Sequence, residues 1–305
     1  MENGRAGAYC AGAGAVSAVR GLDAMRLPEQ PRAVITGAGS GLGRALCLEL
    51  AQRQGRLLVS DVNEAEARET ARRVGQAGGQ AWAVACDVTK AEQVEALARE
   101  CERVMGGVDL VVNNAGVAVA GEVGKLPLGE WKRVLDVNLW GVIHGCHSFV
   151  PMLRRQGAGH VLNIASAAGL LSAPFMAPYN VSKAAVVSLS ETLFAELAPA
   201  GIGVSVVCPL FFRTNIAAAW HAEPDEEGRR LRELAVMLVD RSPVGPDEMA
   251  RACVRGVEEG VFYVVPMRTG RWLWRIKRLA PEGLAQGGRF LEKFLRARVG
   301  GERRG

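Results

Sequence analysis

The stretch RAVITGAGSGLGRALCLELAQRQGRLLVSD, residues 32–61, decides the fold. It opens with a short apolar run at 32–36 and passes through a glycine-rich turn. A helical pattern covers 41–54, a second apolar run covers 56–60, and the stretch ends on an acid, Asp61. Glycines at 37, 41 and 43 let a backbone turn tightly and approach a bound anion closely. A helix starting near Gly41 aims its free N–H groups and positive end at the same point. A strand, a glycine turn and a helix in that order are what a diphosphate-bearing dinucleotide requires, the alternative being a tight turn with no ligand.

The alternation continues beyond this unit. Helical patterns cover 63–77, 90–105, a long stretch from about 129 to 155, 179–198 and 246–259, with a less regular helical region at 213–239. Between them lie apolar runs at 80–86, 108–113, 160–166, 203–208 and 261–265. These runs of Val, Ile, Leu and Ala are nearly continuous, as parallel strands buried on both faces are. The expected fold is α/β: a doubly wound, Rossmann-type parallel sheet of about seven strands with helices on both faces, forming a single domain. The dinucleotide-binding catalytic domain is expected over 31–266. Residues 1–30, rich in Gly and Ala and without periodicity, read as a disordered leader, and glycines and charges interrupt every candidate for a secretory signal. Residues 267–305 read as a basic amphipathic C-terminal tail.

Composition narrows the function classes. The 305 residues are 49% hydrophobic and 23% charged, an ordinary globular balance, and no apolar run reaches the length needed to cross a bilayer. The seven cysteines show no paired motif, which suits a reducing, cytoplasmic setting. Of the net charge of +5, the segment from Arg268 onward carries +8 and the rest −3. Confinement of the positive charge to one terminal segment argues against nucleic acid as a partner. Phe290, Leu291, Phe294 and Leu295 share a helix face in that tail, so it suits either peripheral contact with an anionic membrane or docking on the same or a partner subunit. His144 and His147 in HGCH lack a partner cluster, and no metal is expected.

The stretch PFMAPYNVSK, residues 174–183, places Tyr179 and Lys183 one helical turn apart, on one face. Ser166 precedes Tyr179 by thirteen residues, at the end of a strand, and Asn138 lies in DVNLWG. Taken with TGAGSGLG, NNAG at 113–116 and YNVSK at 179–183, this pattern resembles the short-chain dehydrogenase/reductase family, in its common short form, over about residues 31–266.

The resemblance implies a catalytic set of Asn138, Ser166, Tyr179 and Lys183. In it Tyr179 is the general acid/base, Ser166 orients the substrate oxygen, Lys183 also binds the nicotinamide ribose and Asn138 holds a relay water. It also implies cofactor contacts from Gly37, Ser40, Gly41, Leu42, Gly43, Asp87, Val88, Asn114, Ala115, Gly116, Tyr179, Lys183 and Thr214. Asn113 more often ties strands together.

Lys183 is expected to stabilise the phenolate, which a free phenol with a pKa near 10 needs in order to act as a base. Asp61 ends the second strand eighteen residues after Gly43. A carboxylate there accepts the ribose hydroxyls and repels a 2′-phosphate, favouring NAD, with NADP possible because Arg44 and Asn63 lie nearby. Its alternative role is capping the next helix.

The expected substrate pocket includes Phe175, Met176, Leu210 and Phe211, supported by Leu170, Leu171, Phe212 and Trp220. Leu210 stands where the family usually has glycine. The expected activity is interconversion of a lipophilic secondary alcohol and its ketone, in a homodimer or homotetramer. The alternatives are a cofactor-binding regulator or scaffold on the same fold and, more distantly, a nucleic-acid module.

Overall fold

The computed structural model describes residues 27–213, 220–222 and 226–299. The strands are β1 (Arg32–Thr36), β2 (Arg56–Asp61), β3 (Gln80–Ala85), β4 (Leu110–Asn113), β5 (Ala118–Ala120), β6 (Gly159–Ile164), β7 (Ile202–Val207), β8 (Trp220–Ala222) and β9 (Tyr263–Val264). The helices are α1 (Gly41–Ala51), α2 (Glu64–Gln76), α3 (Ala91–Met105), α4 (Leu128–Leu135), α5 (Gly141–Gln156), α6 (Ala168–Leu171), α7 (Ala177–Leu197), α8 (Glu226–Asp240), α9 (Pro246–Glu258), α10 (Arg268–Leu279) and α11 (Pro281–Val299). None of the described helices is long and apolar enough to cross a membrane.

Seven strands form one parallel sheet in the order β3-β2-β1-β4-β6-β7-β9. Successive side chains point to opposite faces, so β1 sends Val34 into one core and Ala33 and Ile35 into the other. The first core adds Phe149, Leu97, Val186 and Leu197; the second adds Leu46, Leu50, Met249 and Val257. From β1 the chain winds outward to β3, returns to β4 on the other side of β1, and winds outward again. That reversal opens a crevice at the strands' C-terminal ends, where such sheets bind ligands.

Three readings of the sequence change. The helical stretch expected over 129–155 is interrupted by a π-helical turn at Asp136–Trp140, where Gly141 N–H reaches back five residues to the Asp136 carbonyl. The region read as irregular helix at 213–239 contains β8, which pairs in parallel with β5 as a separate two-stranded sheet. The folded body starts before residue 30, because Leu27 is buried in the second core. Docking is one of the two roles open to the tail, and α10 docks on the body: Gly270 is buried, and Trp274 packs on the first core and against Tyr263 at 4.7 Å between ring centroids.

Candidate active site

The loop between β1 and α1 is shaped by what it touches. Gly37 has φ +62°, a conformation that costs an L side chain, and a Cβ there would lie 2.7 Å from the Ala115 Cα. A Cβ on Gly43 would overlap the Gly37 carbonyl oxygen and lie 2.8 Å from the Ala38 Cα. The glycines therefore fold the loop onto itself and onto the end of β4. Asn114 fixes that junction, its Nδ2 donating to the carbonyls of Thr36 (2.9 Å) and Gly37 (3.0 Å). The first N–H groups of α1 are left facing the crevice.

Asp61 accepts from Gly39 N–H at 2.9 Å and from Asn63 N–H at 2.9 Å. The capping role belongs to Asn63, whose Oδ1 accepts from Glu66 N–H at the start of α2. Arg44 is already engaged: it donates to Thr70 Oγ1 (2.9 Å), to Glu66 Oε2 (2.6 Å) and to the Gly39 carbonyl. Its guanidinium is thus committed to the loop it follows.

On the other side of the crevice, α7 carries Tyr179 and Lys183. A buried polar chain seats this helix: Asn113 Nδ2 donates to Asn163 Oδ1 (2.9 Å), and Asn163 Nδ2 donates to Ser190 Oγ (3.0 Å). Asn113 therefore ties β4 to β6, and α7 is tied to β6. Lys183 Nζ donates to the Ile164 carbonyl at 2.9 Å and lies 5.7 Å from the Tyr179 ring centroid. Asn138, fully buried in the π-helical turn, accepts from Val117 N–H (2.8 Å) and donates to Ser182 Oγ (3.1 Å); Ser182 in turn donates to the Tyr179 carbonyl (2.8 Å). Ser182 is a link the sequence reading missed, although it stands within YNVSK. Its hydroxyl bonds back to the carbonyl three residues earlier. Ser166 accepts from Ala168 N–H at 3.1 Å.

Burial acts against charge at both groups on α7. It raises the Tyr179 phenol above its ordinary value, while a hydrogen bond from Ser166 works in the opposite direction. It lowers the Lys183 ammonium to about 8. In the protein by itself desolvation is the larger effect on the phenol, so the phenolate needs a positive partner to form.

The lysine carries a stability consequence. Between pH 10.5 and 8 the unfolded chain binds a proton that the folded chain refuses, so this group costs stability as pH falls through that window, about 3 kcal/mol in full. Lys183→Met removes that cost and gives up one hydrogen bond worth about 1 kcal/mol. The variant is expected to melt no lower than wild type at pH 7 and to lack the wild-type gain in stability above pH 8, as followed by circular dichroism. A markedly lower melting temperature at pH 7 would show that the charge is not a burden.

A cavity of about 660 Å³ joins the two sides. Its wall includes Gly37, Ser40, Gly41, Leu42, Asp61, Asp87, Val88, Asn114, Ala115 and Gly116 at one end, and Ser166, Met176, Tyr179, Lys183, Leu210 and Phe211 at the other. Gly43 and Asn138 stand behind this wall and shape it. Leu171 and Phe212 line the cavity as expected, with Val62, Thr89, Arg133, Ala173 and Val239 unforeseen.

Two expected pocket residues are displaced. Phe175 is held at φ +61°, with its carbonyl accepting from Gly121 N–H at 2.8 Å. It packs against the cluster of Ala118, Ala120, Met176 and Tyr179 without lining the cavity. Leu170 is buried in the first core. Thr214 and the Trp220 side chain lie outside the described residues, as do the side chains of Phe294 and Leu295. His144 Nδ1 lies 2.8 Å from the Val88 carbonyl. Cys208 is fully buried beneath the site, its thiol pushed up to about 12 by burial.

The fold and this arrangement define a class. The family model for short chain dehydrogenases matches residues 31–225, and the chain belongs to that family. "Probable oxidoreductase EphD" of Mycobacterium tuberculosis (strain H37Rv) is 39% identical over 259 residues, which cover 82% of this chain and 43% of that protein. The chain thus spans less than half the length of that relative. "3beta-hydroxysteroid dehydrogenase 1" of Eggerthella lenta is 37% identical over 235 residues, covering 76% of this chain and 88% of that one. A crystal structure of a short-chain dehydrogenase/reductase from Burkholderia phymatum in complex with NAD superposes with a TM-score of 0.79 at 35% identity, covering 83% of this chain and 94% of that one.

Proposed function

We propose that the protein is an NAD-dependent oxidoreductase that interconverts a lipophilic secondary alcohol and its ketone. The observation that carries this reading is the joining, by one cavity, of a glycine-loop cradle ending in Asp61 with the Ser166, Tyr179 and Lys183 cluster. The residues present fit a dinucleotide. Free α1 N–H groups suit its diphosphate, Asp61 and Asn114 its adenosine ribose, Asp87 and Val88 the adenine edge, and Lys183 the ribose hydroxyls nearer Tyr179. A bound nicotinamide supplies the acceptor or donor of a hydride at the substrate carbon.

The chain's own residues handle the proton. In the oxidation direction Tyr179 Oη takes the proton from the substrate hydroxyl as the carbinol hydrogen leaves with its electron pair. In reduction the same oxygen gives the proton back. Ser166 Oγ holds the substrate oxygen against Tyr179. Lys183 supplies the fixed positive charge that a phenolate needs. Bringing the phenol from about 10 to near neutrality asks for about 4 kcal/mol, against a burial effect of the opposite sign. The ammonium and the positive charge of the oxidised cofactor act together to provide it, strengthened by low dielectric. Asn138, held at both ends of its amide, keeps the π-helical turn in place behind Lys183.

Preference for NAD follows from Asp61 and from the commitment of Arg44 to Glu66, Thr70 and Gly39, which turns that guanidinium away from a 2′-phosphate. A lipophilic substrate follows from Leu171, Met176, Leu210, Phe211 and Phe212 around the cavity. The steroid activity named for the Eggerthella relative points the same way. A homodimer or homotetramer, read by light scattering, belongs to the same proposal.

The test is a panel of secondary alcohols, including a 3β-hydroxysteroid, assayed with NAD and with NADP by cofactor absorbance. The expected result is turnover of a lipophilic member, with kcat/KM at least about tenfold higher for NAD. Asp61→Ala is expected to narrow that ratio by about tenfold, since one charge-assisted contact and one repulsion are lost together. Higher efficiency with NADP, or turnover confined to small charged sugars, contradicts the reading.

A further inference from the structure

The geometry points to α10 as a clamp that sets the substrate wall of the cavity, with Lys277 and Gly270 as its positioning residues. The proposal rests on the functional reading above, because it concerns the same cavity.

Gly270, Trp274 and Lys277 stand at i, i+4 and i+7 and so share one face of α10. Each meets a different part of the body. Gly270 is buried, and a Cβ on it would lie 3.2 Å from Leu210 Cδ1. Leu210 stands between that helix and the cavity it lines. Trp274 packs on the first core and on Tyr263. Lys277 Nζ donates to the Leu170 carbonyl at 2.7 Å.

That carbonyl belongs to α6, a single helical turn whose last C=O groups have no partner within it. A lysine ammonium suits such an end. The turn carries Leu171 into the cavity and presses on the reacting helix, since a Cβ on Gly169 would fall 2.6 Å from the Lys183 carbonyl carbon. It is also bound to the Leu210 segment, because Ala167 N–H donates to the Pro209 carbonyl at 2.8 Å. One face of α10 therefore holds the segments on both sides of the substrate end, α6 through Lys277 and Leu210 through Gly270. None of its three contact residues is among those that line the cavity.

The test uses the full chain and the variants Lys277→Met, which keeps the stem and loses the ammonium, and Lys277→Arg, which keeps a donor. Hydrogen–deuterium exchange without substrate reads the clamp directly. Amides of 168–172 are expected to exchange about tenfold faster in Lys277→Met, as loss of a charged hydrogen bond implies, at the wild-type rate in Lys277→Arg, and unchanged in both at the 37–43 loop. Kinetics read its consequence. KM for a 3β-hydroxysteroid is expected to rise about tenfold in Lys277→Met, with KM for NAD and for 2-butanol at wild-type values, and Lys277→Arg is expected to restore the steroid KM. Unchanged exchange at 168–172 overturns the clamp, as does an equal KM change for bulky and small alcohols. If the wild type oxidises no alcohol, the functional reading fails while the exchange measurement still decides the clamp.

Discussion

Tyr179→Phe is expected to lower kcat for any alcohol the protein oxidises by about a thousandfold, with NADH affinity falling by about tenfold at most, the worth of one hydrogen bond. The substitution keeps the ring, which is buried against Ala118, Ala120 and Met176, and deletes only the oxygen. Ser166 loses one hydrogen-bond partner but keeps its bond from Ala168 N–H, and Lys183 keeps its bond to the Ile164 carbonyl. The loss therefore falls on proton transfer and leaves the cradle intact. Progress curves paired with a fluorescence titration of NADH separate the two. Retention of more than about a tenth of wild-type kcat would remove Tyr179 from its role.

Gly43→Val is expected to weaken NADH binding by about a hundredfold or more, because a displaced loop gives up hydrogen bonds from its N–H groups to the charged diphosphate, each worth about 1.5–3 kcal/mol. The new side chain meets backbone: the Gly37 carbonyl oxygen and Ala38 Cα on one side, with Asn114 Nδ2 at 2.6 Å on the other. None of these yields without moving the loop, so the variant is also expected to lose about 1–3 kcal/mol of stability. Titration with NADH and a thermal melt check both effects. Wild-type affinity in this variant would show that the loop does not hold the cofactor.

The main sheet was legible because its strands are apolar on both faces and the helices between them are amphipathic. Arg32–Thr36 is recovered without error, and six more strands lie within a few residues of their expected places. What escaped depends on partners far away in the chain. Ala118–Ala120 and Trp220–Ala222 are three residues each, too short for a period to register, and they become strands only by finding one another across about a hundred residues. The π-helical turn at Asn138 inserts one residue into an otherwise regular helical pattern, which an apolar count does not resolve.

In the site, the shared face of Tyr179 and Lys183 and the turn of the glycine loop were readable from spacing, since i and i+4 fix a shared face before any packing is known, whereas the roles of Ser166 and Asn138 came with the family resemblance. Phe175 was misplaced because a positive φ on a large residue turns its side chain away from where an extended loop would send it. The commitment of Arg44 to Glu66 and the reach of Lys277 to Leu170 lie between residues distant in sequence, and no local pattern announces them.

The central claim is that a hydride leaves the substrate carbon as Tyr179 manages the proton, and label transfer tests it most directly. A secondary alcohol deuterated at its carbinol carbon, oxidised by the full chain with unlabelled NAD, is predicted to give NADH that carries the deuterium on one face of the nicotinamide ring by mass and NMR analysis. Tyr179→Phe is predicted to give almost none in the same time. NADH formed without the label, or labelled equally fast by the variant, would contradict the account.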